Sequence, residues 1–193
     1  MLGRHVQASE AKETYKSYFP RFIEKGIQVG VLSSELKSFD LEFLGETISP
    51  ERDFQFGYLG LQTLYDRYFL IDRNDSFSKE GKRIELPQIF FMRVAMGLAI
   101  REKNKSERAA EFYNLLSSFD FMSSTPTLFN SGTNFSQLSS CYLSTVEDDL
   151  DGIYEAIKEN ALLAKYAGGL GNDWTPVRAV SYTHLRAHET SLH

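Results

Sequence analysis

A single cysteine, Cys141, stands in 193 residues. Alone, it excludes an internal disulfide and a cysteine-based zinc site. Histidine is missing between His5 and His184. Chemistry in the body of the chain therefore runs without a histidine base or borrows one. No apolar run nears the ~18 residues that suggest a membrane span. The start, Met1-Leu2-Gly3-Arg4-His5, has no apolar signal region and no cleavage site. One free thiol and no signal peptide point to the cytoplasm. Basic residues are outnumbered, 21 against 26, for a formal charge of −5. Such a chain has no global electrostatic reason to bind nucleic acid or an anionic membrane. Internal repeats and low-complexity tracts are also missing. Aromatics are not: 15 Phe and 10 Tyr demand a sizeable core or a large interface. The length suits one medium domain or one and a half small ones.

The first part reads as helical. Residues 11–25 carry Tyr15, Phe19, Phe22 and Ile23 near helical spacing. Gly26 is expected to cap that helix and Pro20 to kink it or begin a second one. Ser33-Ser34-Glu35 and Ser49-Pro50-Glu51 are good helix starts. Residues 58–69 read as helix turning into strand, with 83–86 as the returning strand. Pro87 opens the clearest helix, 88–101, apolar around most of its circumference and so expected to be buried. Ser106-Glu107-Arg108 is expected to cap another helix reaching Phe119. From Ser123 the texture changes. Ser123-Ser124-Thr125-Pro126-Thr127 is small, polar and turn-prone. Residues 138–146 read as a strand and Asp148-Asp149 as an acidic helix start. Gly168-Gly169 is read as the helix stop, with a further strand after it. Strand, helix, strand is an α/β order.

Four groups of residues invite chemistry. Gly168-Gly169-Leu170-Gly171 hints at a dinucleotide fingerprint, but Trp174 occupies the last glycine position. The glycines also follow a helix instead of opening one, so a cap and tight turn is the better reading. His184 and His188, at i and i+4, share one helical face, yet no cysteine pair stands upstream to complete a zinc site. Cys141, flanked by Ser139 and Ser140, reads either as a buried structural thiol or as a nucleophile without its usual base. Asp148 and Asp149 complement a helix dipole, or hold a ribose hydroxyl while Arg178 holds phosphate.

Together these stretches resemble the large subunit of class I ribonucleotide reductase. The resemblance rests on Glu85-Leu86-Pro87-Gln88 with Phe90-Phe91, and on the run from Ser123 through Thr125-Pro126-Thr127 to Gly132. It continues in Gln137-Leu138-Ser139-Ser140-Cys141-Tyr142-Leu143, Asp148-Asp149-Leu150-Asp151 and the run Gly168 to Arg178. It spans about Tyr15 to Arg178. The fold it implies is mainly α with some β. A helical region, 1–120, precedes the first strand–helix–strand segment, 121–180, of a ten-stranded α/β barrel. The activity implied is reduction of ribonucleoside diphosphates by thiyl-radical chemistry, for deoxyribonucleotide synthesis and DNA replication. On this resemblance Cys141 is one member of a redox-active pair whose partner is absent here. Thr125, Ser140 and Gly169 match substrate-contacting positions. Asp148, Asp149, Leu150 and Arg178, with Lys165, match an allosteric site for deoxynucleoside triphosphate or ATP effectors. The helix at about 149–167 resembles one that pairs with its twin in a homodimer, through Ile153, Ile157, Ala161 and Ala164.

The resemblance also implies a metal-bearing small subunit as radical source and thioredoxin or glutaredoxin as reductant. No metal or cofactor is expected on this chain itself. The radical cysteine, the second cysteine of the pair and the C-terminal pair are missing, so the chain reads as an inactive N-terminal fragment. A preceding ATP-binding regulatory domain is not recognisable. After Ala179 the family pattern stops, and residues 181–193 read as non-native sequence. A barrel cut after its first strands is expected to expose an edge and apolar surface and to aggregate. Two alternatives remain: a non-catalytic nucleotide-binding regulatory or assembly protein, and the related cobalamin-dependent reductase. The helical region before the barrel favours class I over the latter.

Overall fold

The computed structural model describes residues 2–73, 81–165 and 168–178. They fall into two compact units, divided between Leu138 and Ser139. The first is helical: α1 (Leu2–Gln28), a 3-10 turn (Ser34–Ser38), α2 (Leu41–Thr47), a second 3-10 turn (Pro50–Gln55) and α3 (Tyr58–Thr63). A π turn (Leu64–Tyr68) and a short antiparallel hairpin, β1 (Ile71–Asp72) with β2 (Lys82–Arg83), follow. Then come α4 (Pro87–Ala99), α5 (Lys105–Ser117) and α6 (Thr125–Asn130).

Helix α4 is the axis of this unit. Pro87 starts it with its φ already helical and no N–H to satisfy. From Gln88 to Met96 every residue is buried, including Arg93. So apolar a helix must be covered on all sides. Phe19, Phe22 and Ile23 of α1 and Ala109, Ala110 and Tyr113 of α5 belong to the same core. Phe90 and Phe91 carry an aromatic cluster, with ring centroids 5.1 Å apart and Phe69, Phe56 and Phe119 around them. The expected burial of this helix holds, and so does the hairpin after the π turn.

Several local expectations fail for tertiary reasons. Pro20 neither ends nor splits α1, which runs unbroken through it. Phe19, Phe22 and Ile23 bury on both sides of the proline and hold the helix in place. Gly26 lies inside the helix. The true stop is Gly30, at φ +78°. Its N–H bonds to the Ile27 carbonyl at 3.1 Å, and the Val31 N–H bonds to that of Gly26 at 2.9 Å. That double closure needs a left-handed residue, which glycine adopts without a Cβ clash. Ser106 does not cap α5; Asn104 precedes it, and the Ser106 hydroxyl accepts the Asp40 N–H at 2.9 Å.

The run around Thr125 is not a turn but the helix α6. Its carbonyl end is buried against α4, so this segment belongs to the first unit. The division accordingly falls after Leu138 and not at the 120/121 boundary expected from the texture change. Ser131 and Gly132 press against α4 closely enough that a Cβ at Gly97 would stand 2.1 Å from the Gly132 nitrogen.

The second unit has strand β3 (Cys141–Thr145), helix α7 (Leu150–Ala164) and strand β4 (Gly169–Asp173). The strands are parallel, with Cys141 opposite Gly169 and Thr145 opposite Asp173. This is the expected βαβ order. Among the described residues its sheet has only these two strands. No described helix is long and apolar enough to cross a membrane. His184, His188 and residues 181–193 lie outside the described residues.

Candidate functional site

Strand alternation sorts the second unit into two faces. Tyr142, Ser144 and Asn172 share one. Helix α7 covers it: the Asn160 side-chain amide donates to Asn172 Oδ1 at 2.8 Å, and the Asn172 amide donates to the Ser144 hydroxyl at 2.6 Å. Cys141, Leu143 and Thr145 point to the opposite face, alongside Gly169 and Gly171 of β4. The Cys141 thiol is exposed. The Ser140 hydroxyl lies 3.7 Å from its sulfur, and the Ser140 carbonyl accepts the Gly169 N–H at 2.8 Å.

The glycines therefore do something other than stop a helix. Gly169–Gly171 is part of a strand, which excludes a dinucleotide loop opening a helix. The turn reading fails because pairing with β3 draws this segment into extended backbone. A Cβ at Gly169 would stand 3.5 Å from the Cys141 sulfur, and a Cβ at Gly171 would stand 2.8 Å from the end of the Leu143 side chain. The missing Cβ of Gly169 leaves a bare stretch of β4 backbone, a short lane, beside the thiol, while at Gly171 the Leu143 side chain lies over the strand. A Cβ at Gly168 would collide with the Tyr142 ring at 2.3 Å, so that glycine serves packing on the helix side.

At the far end of β3 a second group assembles. The Asp149 carboxylate caps α7, accepting the Gly152 N–H at 2.8 Å. Replacing Asp149 by Ala should cost about 1 kcal/mol of stability. Urea unfolding of the purified chain checks this; an unchanged midpoint would remove the capping role. Arg178 bends onto Asp148, with its N–H on Oδ1 at 3.0 Å, Nε on Oδ2 at 2.5 Å and Nη2 on the Asp148 carbonyl at 3.1 Å. Both partners are about one-third exposed, so solvent screens the pair. Leu150 is 73% exposed. Asp148, Asp149, Leu150 and Arg178 thus meet at one end of α7. Lys165 does not join them, since it follows the other end, about 22 Å away at 1.5 Å per residue. The exposed Asp173 carboxyl accepts the Thr175 N–H at 2.9 Å and is held below its ordinary range by bonds to Thr175.

The faces of α7 also differ from expectation. Ala156 is buried and Ile153, Asn160 and Leu163 are half-buried on the sheet side. Leu150, Tyr154, Ile157, Ala161 and Ala164 are exposed. Their spacing of four, three, four, three is a heptad seam. Ile153 therefore belongs to the covered face, and Ile157, Ala161 and Ala164 to the open one.

In the first unit, Thr125 is the first residue of α6 and is exposed. Sequence reasoning missed what holds it. Arg93, fully buried, donates from Nη1 to the carbonyls of Leu128 at 2.9 Å, Phe129 at 3.3 Å and Ser131 at 2.8 Å. Nε and Nη2 grip the Glu85 carboxylate at 2.9 and 3.2 Å. Glu85 Oε2 also accepts the Leu70 N–H at 2.8 Å. A cation thus satisfies the carbonyl end of α6. The signal was present: a lone arginine in the run Phe90-Phe91-Met92-Arg93-Val94-Ala95-Met96, with Glu85 eight residues earlier. A second buried network joins Tyr15, Asp53, Gln88 and Tyr113 through bonds of 2.7 to 2.8 Å. Burial pushes the Asp53 carboxyl up, against the pull of its Tyr15 and Gln88 bonds. No group of three metal-ligating side chains occurs among the described residues.

Comparison with known proteins bears on both units. The family model of the ribonucleotide reductase all-alpha domain matches residues 54–136. That of the ribonucleotide reductase barrel domain matches 139–189, which extends the family pattern past its expected end at Ala179. The ribonucleoside-diphosphate reductase subunit alpha of Chlamydia muridarum is 53% identical over 179 residues, 92% of this chain and 16% of that protein. The Helicobacter pylori subunit alpha is 47% identical over 176 residues, 91% of this chain and 21% of its own length. The Danio rerio large subunit is 42% identical over 137 residues, 70% of this chain and 16% of that protein. The chain therefore spans between a sixth and a fifth of the curated relatives it matches.

Proposed function

The chain belongs to the ribonucleotide reductase large-subunit family, and on that premise we propose that the reductase carrying it converts ribonucleoside diphosphates to deoxyribonucleoside diphosphates. In net terms the ribose 2′-hydroxyl leaves as water and hydrogen takes its place. Two thiols supply two electrons and two protons and become a disulfide. A thiyl radical elsewhere in the enzyme opens the reaction by taking the ribose 3′ hydrogen. Cys141 is one of the two reducing thiols. The observation that supports this is the exposed sulfur at the head of β3, with a residue that has no side chain, Gly169, opposite it on β4. A ribose can approach there without meeting a side chain on β4. Ser140 and Gly169 then line the same lane; Thr125, on α6, is proposed separately as a substrate contact.

The cluster of Asp148, Asp149, Leu150 and Arg178 suits a deoxynucleoside triphosphate effector. Arg178 carries guanidinium donors of the kind that suit phosphate oxygens, here engaged by Asp148. Lys165 stands apart from that cluster within one chain, so its role there depends on a second protomer. The open seam of α7 is the proposed homodimer face, and a small radical-generating subunit and a dithiol reductant complete the system.

The test is reduction of a radiolabelled ribonucleoside diphosphate by the full reductase. Small subunit, dithiol and a deoxynucleoside triphosphate are present. We expect deoxyribonucleotide formation that needs the small subunit, and none from residues 1–193 alone. Absence of reduction by the full system, or turnover by this chain alone, overturns the proposal.

A further inference from the structure

The hydroxyls of Tyr68 and Thr125 lie 3.4 Å apart. That is well beyond the ~2.7 Å of a strong O–H···O bond. The two groups are near neighbours that are not locked to each other. Thr125 is exposed and Tyr68 half-buried. Each hydroxyl has a donor hydrogen that rotates to suit an acceptor. A single oxygen set about 2.7 Å from both would take both hydrogens.

The fold holds this pair with more care than a chance contact needs. The Tyr68 ring stacks on Phe129 of α6, with centroids 4.7 Å apart and planes 19° apart. It also meets Phe90 edge-on at 6.2 Å. Tyr68 ends a π turn closed by the Phe69 N–H on the Leu64 carbonyl at 2.9 Å. Such turns are rare and concentrate at functional sites. Arg83 fixes that turn from outside, donating to the carbonyls of Tyr65 and Asp66. Arg93 fixes α6 at its other end. Both hydroxyls are therefore carried on segments whose backbone is pinned by an arginine. Packing alone would be served by phenylalanine at 68, since both ring contacts are made by the ring and not by the hydroxyl.

We propose that Tyr68 is a second substrate-binding hydroxyl, pairing with Thr125 to hold one phosphate oxygen of the ribonucleoside diphosphate. The inference rests on the reading of Thr125 as a substrate contact. A hydrogen bond to a charged oxygen is the kind whose loss weakens ground-state binding, and it lies away from the reacting ribose carbons.

The experiment uses the full reductase with its small subunit and the variants Tyr68→Phe, Thr125→Val and the double variant. Steady-state reduction is measured over a range of diphosphate concentration. Tyr68→Phe should raise KM about tenfold with kcat changed less than about twofold. Thr125→Val should do the same, and the double variant should be worse than either but by less than the product of the two. If Thr125→Val raises KM and Tyr68→Phe does not, the pairing is wrong while the Thr125 reading stands. If Thr125→Val changes nothing, the Thr125 reading fails and the proposal fails with it. A tenfold loss of kcat in Tyr68→Phe at unchanged KM also overturns it, because that pattern marks a disturbed catalytic geometry. Thermal unfolding of Tyr68→Phe should match the unsubstituted enzyme, since both ring contacts remain.

Discussion

Replacing Cys141 by serine should abolish multiple turnover of the reductase, lowering kcat by at least about a hundredfold. Oxygen and sulfur are close in size, and Cys141 is exposed, so the fold has little to lose. Thermal stability should stay within about 0.5 kcal/mol of the parent, as at other surface positions. On the role proposed for Cys141, what is lost is the couple. An alcohol does not join a thiol in a disulfide, so the two electrons for the 2′ carbon have no source. Labelled diphosphate reduction gives the rate. Thiol titration before and after one turnover should show two thiols consumed in the parent and none in the variant. Turnover of Cys141→Ser at the parent rate would remove Cys141 from the chemistry and leave it a surface thiol.

The largest stability effect is expected at Arg93. The Arg93→Ala variant should lose about 3–5 kcal/mol, the usual result of removing one partner from a buried ion pair. Two things go wrong at once. Glu85 keeps a charge at 5% exposure with its guanidinium gone, and the carbonyls of Leu128 and Ser131 lose their donor. With domain stabilities near 5–15 kcal/mol, much of the variant should be unfolded or insoluble. Urea unfolding of the soluble fraction reads the loss. The double variant Glu85→Leu with Arg93→Met should recover part of it, because it removes the stranded charge. Recovery should be incomplete, since the carbonyls of Leu128, Phe129 and Ser131 and the Leu70 N–H still lack partners. An Arg93→Ala loss below about 1 kcal/mol would mean that the network is not what holds α6.

The elements with strong local signals were legible in the sequence. Pro87 followed by a helix apolar on most sides has only one stable outcome, burial among other helices, and α4 shows it. Asp148-Asp149 before an apolar periodicity gave the start of α7, with Asp149 as its cap. The order of strand, helix and strand was legible for the same reason. The signals that misled were all short. Pro20, Gly26, Ser106 and Gly168-Gly169 each carry a sound local preference of about 1–3 kcal/mol or less. Burial of Phe19, Phe22 and Ile23 outweighs such a preference at Pro20, and pairing with β3 outweighs it at Gly169. Thr125 looks turn-like locally because the residue that holds its helix, Arg93, lies 32 residues earlier in the chain.

The single cysteine shows how the two kinds of information divide. The sequence by itself determined that Cys141 has no partner and no histidine base in the body of this chain, and it supplied the motifs that mark the family. Spacing along a chain reports residue type and order, and for those it is sufficient. Only the tertiary structure decided that the thiol faces away from α7, that Gly169 stands opposite it, and that Tyr68 comes beside Thr125. Those three facts are set by strand register and by aromatic packing. Both depend on contacts between residues from 22 to 61 positions apart, which no local pattern encodes.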